Sequence, residues 1–214
     1  MARSRWAIHA SVGLGLVVLV ATGCATTGFE RSTNIAETMA KQVEGMQQAR
    51  PQVDAMLASL DGLTRAQGDM RPAFKHFSET LDDTEKTAAR ARKSEQTIRE
   101  REAEYFAEWQ RQAAEITNPQ IKAATQARQA EVKGTLASLS QTGKAVGDAY
   151  NPFISNMKDI RTYLSNDLTP GGVKRLEPTI EKARRDGAAL QKALEDFNRA
   201  SQRVQTTLRP TGSQ

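Results

Sequence analysis

One stretch of the chain, residues 132–164, constrains its fold more than any other. Apolar or small residues recur there in steps that alternate between four and three: Val132, Leu136, Leu139, Gly143, Val146, Tyr150, Phe153, Met157, Ile160 and Leu164. This seven-residue period places these side chains along one side of an α-helix, as in helices that pack lengthwise against other helices. The stretch therefore predicts a long helix with one side buried against a neighbour.

Three other stretches carry the same alternation and predict three further helices. Their apolar or small residues run from Ile35 to Leu63, from Phe74 to Ile116 and from Val173 to Leu208. The first helix is expected to begin near Asn34. The last has Pro178 as a candidate for its first turn, because proline suits that position.

Short polar turns separate the predicted helices. Pro72 is suited to begin the second helix, and Asn118 and Pro119 are a good N-cap and first residue for the third. Short turns between long helices make sequential neighbours antiparallel, and a strict seven-residue period implies a left-handed supercoil. Residues 34–208 are therefore predicted to be all-α, an elongated antiparallel helical bundle or coiled coil of three to four long helices.

The first residues of the chain predict export and lipid anchoring. Two arginines precede an apolar run, residues 10–21, that is too short to span a bilayer as a mature helix. The run closes on Gly23 and Cys24 in a sequence that resembles a bacterial lipobox. Residues 1–23 would then be the signal peptide and Cys24 the acylated first residue. Ordinary cleavage after Ala25 is the alternative, because small residues flank the cysteine on both sides.

The remaining segments are a tether and a tail. Residues 24–33 are expected to link the lipid to the bundle, and residues 209–214 to form a disordered tail. Cys24 is the only cysteine, so an exported chain offers it no internal disulfide partner. Ala25 after the cysteine, in place of aspartate, favours the periplasmic face of the outer membrane if the host has two membranes.

The residue types argue against catalysis and against nucleic acid as a partner. The formal charge is +5, but the charges are interspersed, and export separates the chain from nucleic acid. After the signal peptide the chain has one histidine, His76, which is expected to pack beside two phenylalanines. A metal centre or a nucleophile with its base needs more than this. The sequence therefore predicts no enzyme, no cofactor and no metal.

Two carboxylates interrupt the apolar side of the second predicted helix. Glu95 and Glu102 are seven residues apart and lie on the side that should face a neighbour. One interpretation is a polar pocket or partner surface inside the bundle. The alternative is that the carboxylates reach toward Arg92 and Arg99 from a less buried part of the helix. Both interpretations predict a loosely packed segment between Ala91 and Glu102.

Two aromatic residues of the same helix are further candidates for a partner surface. Trp109 falls on the apolar side and is expected in the core. Phe106 flanks that side, and it is therefore expected to be the exposed member of the pair.

Three short motifs between Leu60 and Ala200 follow the pattern of a known family. They are Phe106-Ala107-Glu108-Trp109 with Glu115-Ile116, Tyr150-Asn151-Pro152-Phe153 with Met157, Asp159 and Ile160, and Tyr163-Leu164 with Leu168. On these motifs the chain resembles bacterial envelope proteins grouped as domain of unknown function 2959. It departs from the family's basic and amide-bearing turn, where it has Ser165, Asn166 and Asp167. The resemblance implies an exported helical protein that can carry a lipid anchor, and it implies no activity, substrate or catalytic residue.

Together these observations predict a lipid-anchored helical bundle of the cell envelope with a structural or partner-binding role. Its partners would be the membrane, through the N-terminal lipid, and an envelope protein or a second copy of the chain. The alternative is a membrane-active protein whose helices rearrange to insert into a bilayer. No apolar stretch of about 20 residues follows the signal peptide, which counts against insertion.

Overall fold

The computed structural model describes residues 34, 37, 38 and 49–208. Within this part of the chain every regular element is a helix and none is a strand. The helices of residues 49–208 are α1 (Ala49–Arg65), α2 (Arg71–Ala114), α3 (Pro119–Leu164), α4 (Pro170–Arg175) and α5 (Glu177–Leu208). The all-α fold class is thereby confirmed. Several predictions lie outside the described residues: the signal peptide, Cys24, the tether, the tail and the first four positions of the first seven-residue pattern, which are Ile35, Met39, Gln42 and Met46.

The turn between α2 and α3 forms as its residues predict. Asn118 is the N-cap of α3, and its side-chain oxygen accepts hydrogen bonds from the backbone N–H groups of Gln120 (2.9 Å) and Ile121 (3.3 Å). Pro119 follows as the first helical residue, where its missing N–H leaves no helical hydrogen bond unmade. α2 likewise carries Pro72 in its first turn. Caps and prolines therefore set the bounds of the long helices.

The last connection divides the predicted fourth helix in two. Val173 falls in the short helix α4, and α5 begins after a break at Leu176. Pro178 lies in the first turn of α5, as predicted, because it has no N–H with which to continue the hydrogen bonding of α4. The Thr169 hydroxyl caps α4 by accepting a hydrogen bond from the Gly172 N–H at 2.9 Å.

Helices α2 and α3 run in opposite directions. Four side-chain pairs join them: Asp82 with Arg161, Glu85 with Lys158, Arg92 with Tyr150, and Phe106 with Lys133. The residue number rises along α2 while it falls along α3, which is the order of an antiparallel hairpin. These pairs fix the register of the two helices, so that each residue of α2 can be assigned a facing residue of α3.

Helices α1 and α5 complete the packing. α5 packs most extensively against α3, while α1 packs against α2 and α5. The Arg184 guanidinium donates to the Asp61 carboxylate at 2.7 Å, and Gln191 donates to Asp54, so that α1 and α5 are also antiparallel. The first predicted helix thus belongs to the packed body through residues 49–65.

Large side chains from the predicted apolar sides form the core. In α3 the side chains of Phe153, Met157, Ile160 and Leu164 are fully buried. In α5 every predicted position from Ile180 to Leu208 is buried. The seven-residue pattern thereby identifies the buried sides of both helices.

One glycine lies where α1, α3 and α5 approach each other closely. A Cβ atom at Gly187 would lie 2.9 Å from a methyl group of Leu57 and 3.1 Å from the ring of Phe153. The helices are therefore packed tightly around this position, and a side chain there would have to displace its neighbours.

Candidate functional site

A groove opens where the packing of the long helices is incomplete. Its volume is about 410 Å³, and residues of α1, α2, α3 and α5 line it. The buried side chains of Leu190, Leu194 and Phe197 on α5 form its floor. The exposed side chains of Lys144 and Asp148 stand at its rim. The groove therefore joins an apolar floor to a charged edge.

Small residues on both helices leave the groove open. Ala88 and Ala91 line the groove from α2, while Gly143 and Gly147 line it from α3. A Cβ atom at Gly147 would meet no heavy atom within 4 Å, so open space lies directly beside the backbone there. At these four positions neither helix supplies a side chain larger than a methyl group.

A hydrogen-bonded side chain stands at the α1 end of the groove. The Gln52 amide donates to the Thr84 hydroxyl at 3.1 Å and to the Thr80 carbonyl at 3.3 Å. Thr84 is buried, although it is polar, and Gln52 gives it a partner across the helices. This bridge holds α1 to α2 beside the apolar floor.

The charged edge contains two ion pairs within single helices. Glu95 and Arg99 of α2 approach to 3.4 Å, and Lys144 and Asp148 of α3 approach to 2.5 Å. Both pairs are of the i,i+4 kind and are substantially exposed, so each contributes only a few tenths of a kcal/mol at about 25 °C. The Glu95 and Asp148 carboxylates therefore each have a cation beside them.

Arg92 and Tyr150 form a different contact at the same edge. The Arg92 guanidinium carbon lies 5.3 Å from the centre of the half-buried Tyr150 ring, in a cation–π contact. Burial raises the pKa of the Tyr150 hydroxyl, with a smaller contribution from the Glu85 carboxylate and an opposing one from Arg92. The phenol is therefore neutral at pH 7 and can donate a hydrogen bond.

The two predicted carboxylates lie beside the groove but differ from each other. Glu95 lines it and pairs with Arg99, which agrees with the interpretation that the carboxylates reach toward arginines. Glu102 lies beside a narrow space of about 30 Å³ next to the groove and makes no ion pair with a described residue. Burial raises the pKa of the Glu102 carboxyl above its ordinary value of 4.5.

The prediction that Phe106 is exposed is wrong. Only 8% of Phe106 is accessible to solvent, and its ring stacks on the half-buried Trp109 with the ring centres 6.2 Å apart. Tyr105 packs against both rings, and the Lys133 ammonium lies 5.1 Å from the centre of the Phe106 ring. Neighbours on its own helix and on α3 thus cover Phe106, which removes it from the candidate partner surface.

Other groups expected from the sequence do not form a site in the described part of the chain. His76 is exposed rather than packed between phenylalanines. Among the described residues no group of three or more histidine, cysteine, aspartate or glutamate side chains is placed to hold a metal ion. None of the described helices is both long and apolar enough to cross a membrane.

The groove itself could be anticipated from the sequence only in part. The predicted loose segment from Ala91 to Glu102 includes residues of its α2 wall. The glycines at 143 and 147 were visible as small residues, but the sequence does not show that they line one groove together with Ala88 and Ala91. That information requires the relative levels of α2 and α3.

Fold and groove define the class of the protein: it is all-α, with an apolar groove between long packed helices. Residues 23–208 match the family described as "Protein of unknown function (DUF2959)", and the chain belongs to that family. The match extends on both sides beyond the stretch from Leu60 to Ala200 that carries the resemblance. No curated protein and no solved structure matches the chain.

Proposed function

We propose that the protein is a lipid-anchored helical bundle of the cell envelope that binds a partner in the groove between α2 and α3. The observation that carries this proposal is the groove, because an apolar floor with a charged edge and a volume of about 410 Å³ is typical of binding sites. The role is binding rather than catalysis. The carboxylates of Glu95 and Asp148, which line the groove, are each held in an ion pair, and no described histidine or cysteine lines it.

The proposed shape is an elongated antiparallel coiled coil. The longest helix, α3, has 46 residues. It would extend about 70 Å if straight, since each helical residue adds about 1.5 Å. The cross-helix pairs between α2 and α3 and between α1 and α5 support the antiparallel order. A body of this form would hold the groove away from the membrane surface to which the lipid attaches it.

The proposed anchor rests on the sequence around Cys24. The apolar run ends beside Gly23 and Cys24, and the match to the family begins at residue 23. Cys24→Ser is expected to release the protein from the membrane fraction, and mass spectrometry of the wild-type chain should find Cys24 acylated at the N-terminus. A free N-terminus at Thr26 would instead support ordinary signal cleavage and contradict the anchor.

Partner binding is tested by filling the groove. Gly147→Leu places a side chain in open space at the groove, and Gly134→Leu is a matched control on the same helix, because a Cβ atom there also meets nothing within 4 Å. Both changes replace glycine with a better helix former. Tagged full-length variants would be cross-linked in the host envelope and purified with their partners.

We expect Gly147→Leu to lose the proteins that cross-link to the wild type and Gly134→Leu to keep them. Circular dichroism would verify that both variants remain folded. Equal capture by all three chains would show that the groove is not the partner surface.

A further inference from the structure

Two polar groups at the groove edge remain available to a ligand. The Arg92 guanidinium lies over the Tyr150 ring and has no carboxylate of the described residues within 4.0 Å. The Tyr150 hydroxyl makes no hydrogen bond to any of these residues. A cation and a neutral hydroxyl donor thus stand together, while the neighbouring cations Arg99 and Lys144 are paired with carboxylates.

This pair is chemically suited to a carboxylate. A guanidinium donates hydrogen bonds to both oxygens of a carboxylate, and a phenol adds a further donor. The ion-paired carboxylates Glu95 and Asp148 also line the groove, and they would repel a doubly charged phosphate more than a singly charged carboxylate. The edge therefore favours a small head that carries a single negative charge.

The interior of the groove is suited to a hydrocarbon chain. Leu190, Leu194, Phe197 and Val146 present apolar side chains, and the glycines and alanines of the walls leave room for a narrow, unbranched ligand. Removing a hydrocarbon chain from water against such side chains is favourable. A volume of about 410 Å³ lies within the range of small-molecule sites.

We propose that the groove binds a long-chain fatty acid, with its hydrocarbon chain on the α5 floor and its carboxylate held by Arg92 and Tyr150. This proposal names a ligand for the groove. It rests on the proposed function in one respect, because the same groove is the binding surface there. The fatty acid would be the ligand that the groove recognises in the lipid-rich envelope.

The test uses the delipidated full-length protein and a fluorescent fatty acid, cis-parinaric acid. We expect saturable binding with one ligand per chain, and displacement by palmitate. Hexadecanol has the same chain without a charge, so it should displace the probe about tenfold less well, because it cannot make the charge-assisted contact.

Four variants locate the site. Arg92→Gln and Tyr150→Phe should each weaken palmitate binding, by about tenfold for the arginine and less for the tyrosine, since only the first removes a charge. Arg90→Gln removes an exposed arginine of the same helix and should bind like the wild type. Gly147→Leu should weaken palmitate binding by placing a side chain in part of the groove.

Several outcomes would overturn the proposal. They are the absence of saturable binding by the wild type, equal losses in Arg92→Gln and Arg90→Gln, or equal displacement by palmitate and hexadecanol. A further outcome is a result for a full-length Cys24→Ser chain that also carries Met46→Cys and Gly147→Cys: rapid disulfide formation, together with a failure of the wild type to bind fatty acid, would mean that the chain itself fills the groove.

The result can be separated from the test of the proposed function. If Gly147→Leu loses envelope partners while no variant binds fatty acid, the ligand proposal alone is wrong. If Gly147→Leu alters neither partner capture nor fatty acid binding, both proposals are wrong.

Discussion

Two regions of α3 follow the same seven-residue pattern but differ in how tightly their side chains are packed. From Phe153 to Leu164 the pattern holds large side chains that are fully buried. From Gly143 to Tyr150 it holds smaller or half-buried residues, and the groove opens beside them. The seven-residue period therefore determines which side of a helix faces its neighbours. Side-chain volume then decides whether that side becomes a solid core or a groove.

Truncating a side chain is expected to lower the free energy of unfolding far more in one region than in the other. Leu164→Ala should lower the free energy of unfolding by about 2–5 kcal/mol, because this fully buried side chain would leave a cavity. Val146→Ala, at the groove, should lower it by less than about 1.5 kcal/mol. Urea unfolding of the full-length variants measures both. Equal losses would mean that the middle of α3 is packed as tightly as its end.

A larger side chain should have opposite effects on stability at a closely packed glycine and at an open one. Gly187→Leu should lower the free energy of unfolding by about 1–3 kcal/mol, because Leu57 and Phe153 already fill the space beside this glycine. Gly147→Leu should instead raise it by up to about 1 kcal/mol, since leucine favours the helix and its Cβ atom meets no heavy atom within 4 Å. Thermal unfolding of both variants gives the signs, and a large loss at Gly147 would contradict the open groove.

Two carboxylates should reduce the packing of the α2 wall. Replacing Glu95 and Glu102 together with leucine is expected to raise Tm by a few degrees, about 1 kcal/mol, and to weaken partner capture. In the wild type, the backbone amides of residues 91–102 should exchange their hydrogens faster than those of residues 153–164. Equal protection of the two segments in a hydrogen-exchange experiment would rule out a loose wall.

The smallest expected effect is a pH dependence at Glu102. Its pKa is higher in the folded chain than the ordinary value of 4.5, because burial disfavours the charged carboxylate. Below 4.5 the group is neutral in both states, and as the pH rises through the raised pKa the wild type loses stability. Glu102→Gln should remove this loss.

The pH effect is measured by urea unfolding at pH 4 and pH 7. Glu104→Gln, at an exposed position of the same helix, is the control and should keep the wild-type pH dependence. If the stabilities of wild type and Glu102→Gln differ by the same amount at both pH values, burial does not affect the titration of Glu102.

Most of the fold could be predicted because its determinants are local. Asn118 and Pro119 specify where α3 begins, and the alternation of three and four identifies the buried side of α5 without knowledge of any partner helix. The break at Leu176 was signalled by Pro178. In each case the decisive interaction lies within a few residues of the chain.

The groove could not be predicted in full because it depends on which residues share a level across two helices. Gly147 and Ala91 are separated by 56 positions, and only the antiparallel register of α2 and α3 brings their walls together. The error at Phe106 has a similar cause. Its position relative to the apolar side was correct, but Lys133 of α3 and the neighbouring aromatic rings cover it.

The length of α2 beyond the groove has a geometric consequence. From Arg99, at the groove, to the turn at Asn118, α2 and its connection extend by about 28 Å at 1.5 Å per residue. An arm of that length amplifies a small change of angle at its base, so that a splay of about 10° at the groove would displace the turn by about 5 Å. A change of angle in the middle of α2 would thereby be largest at its far end.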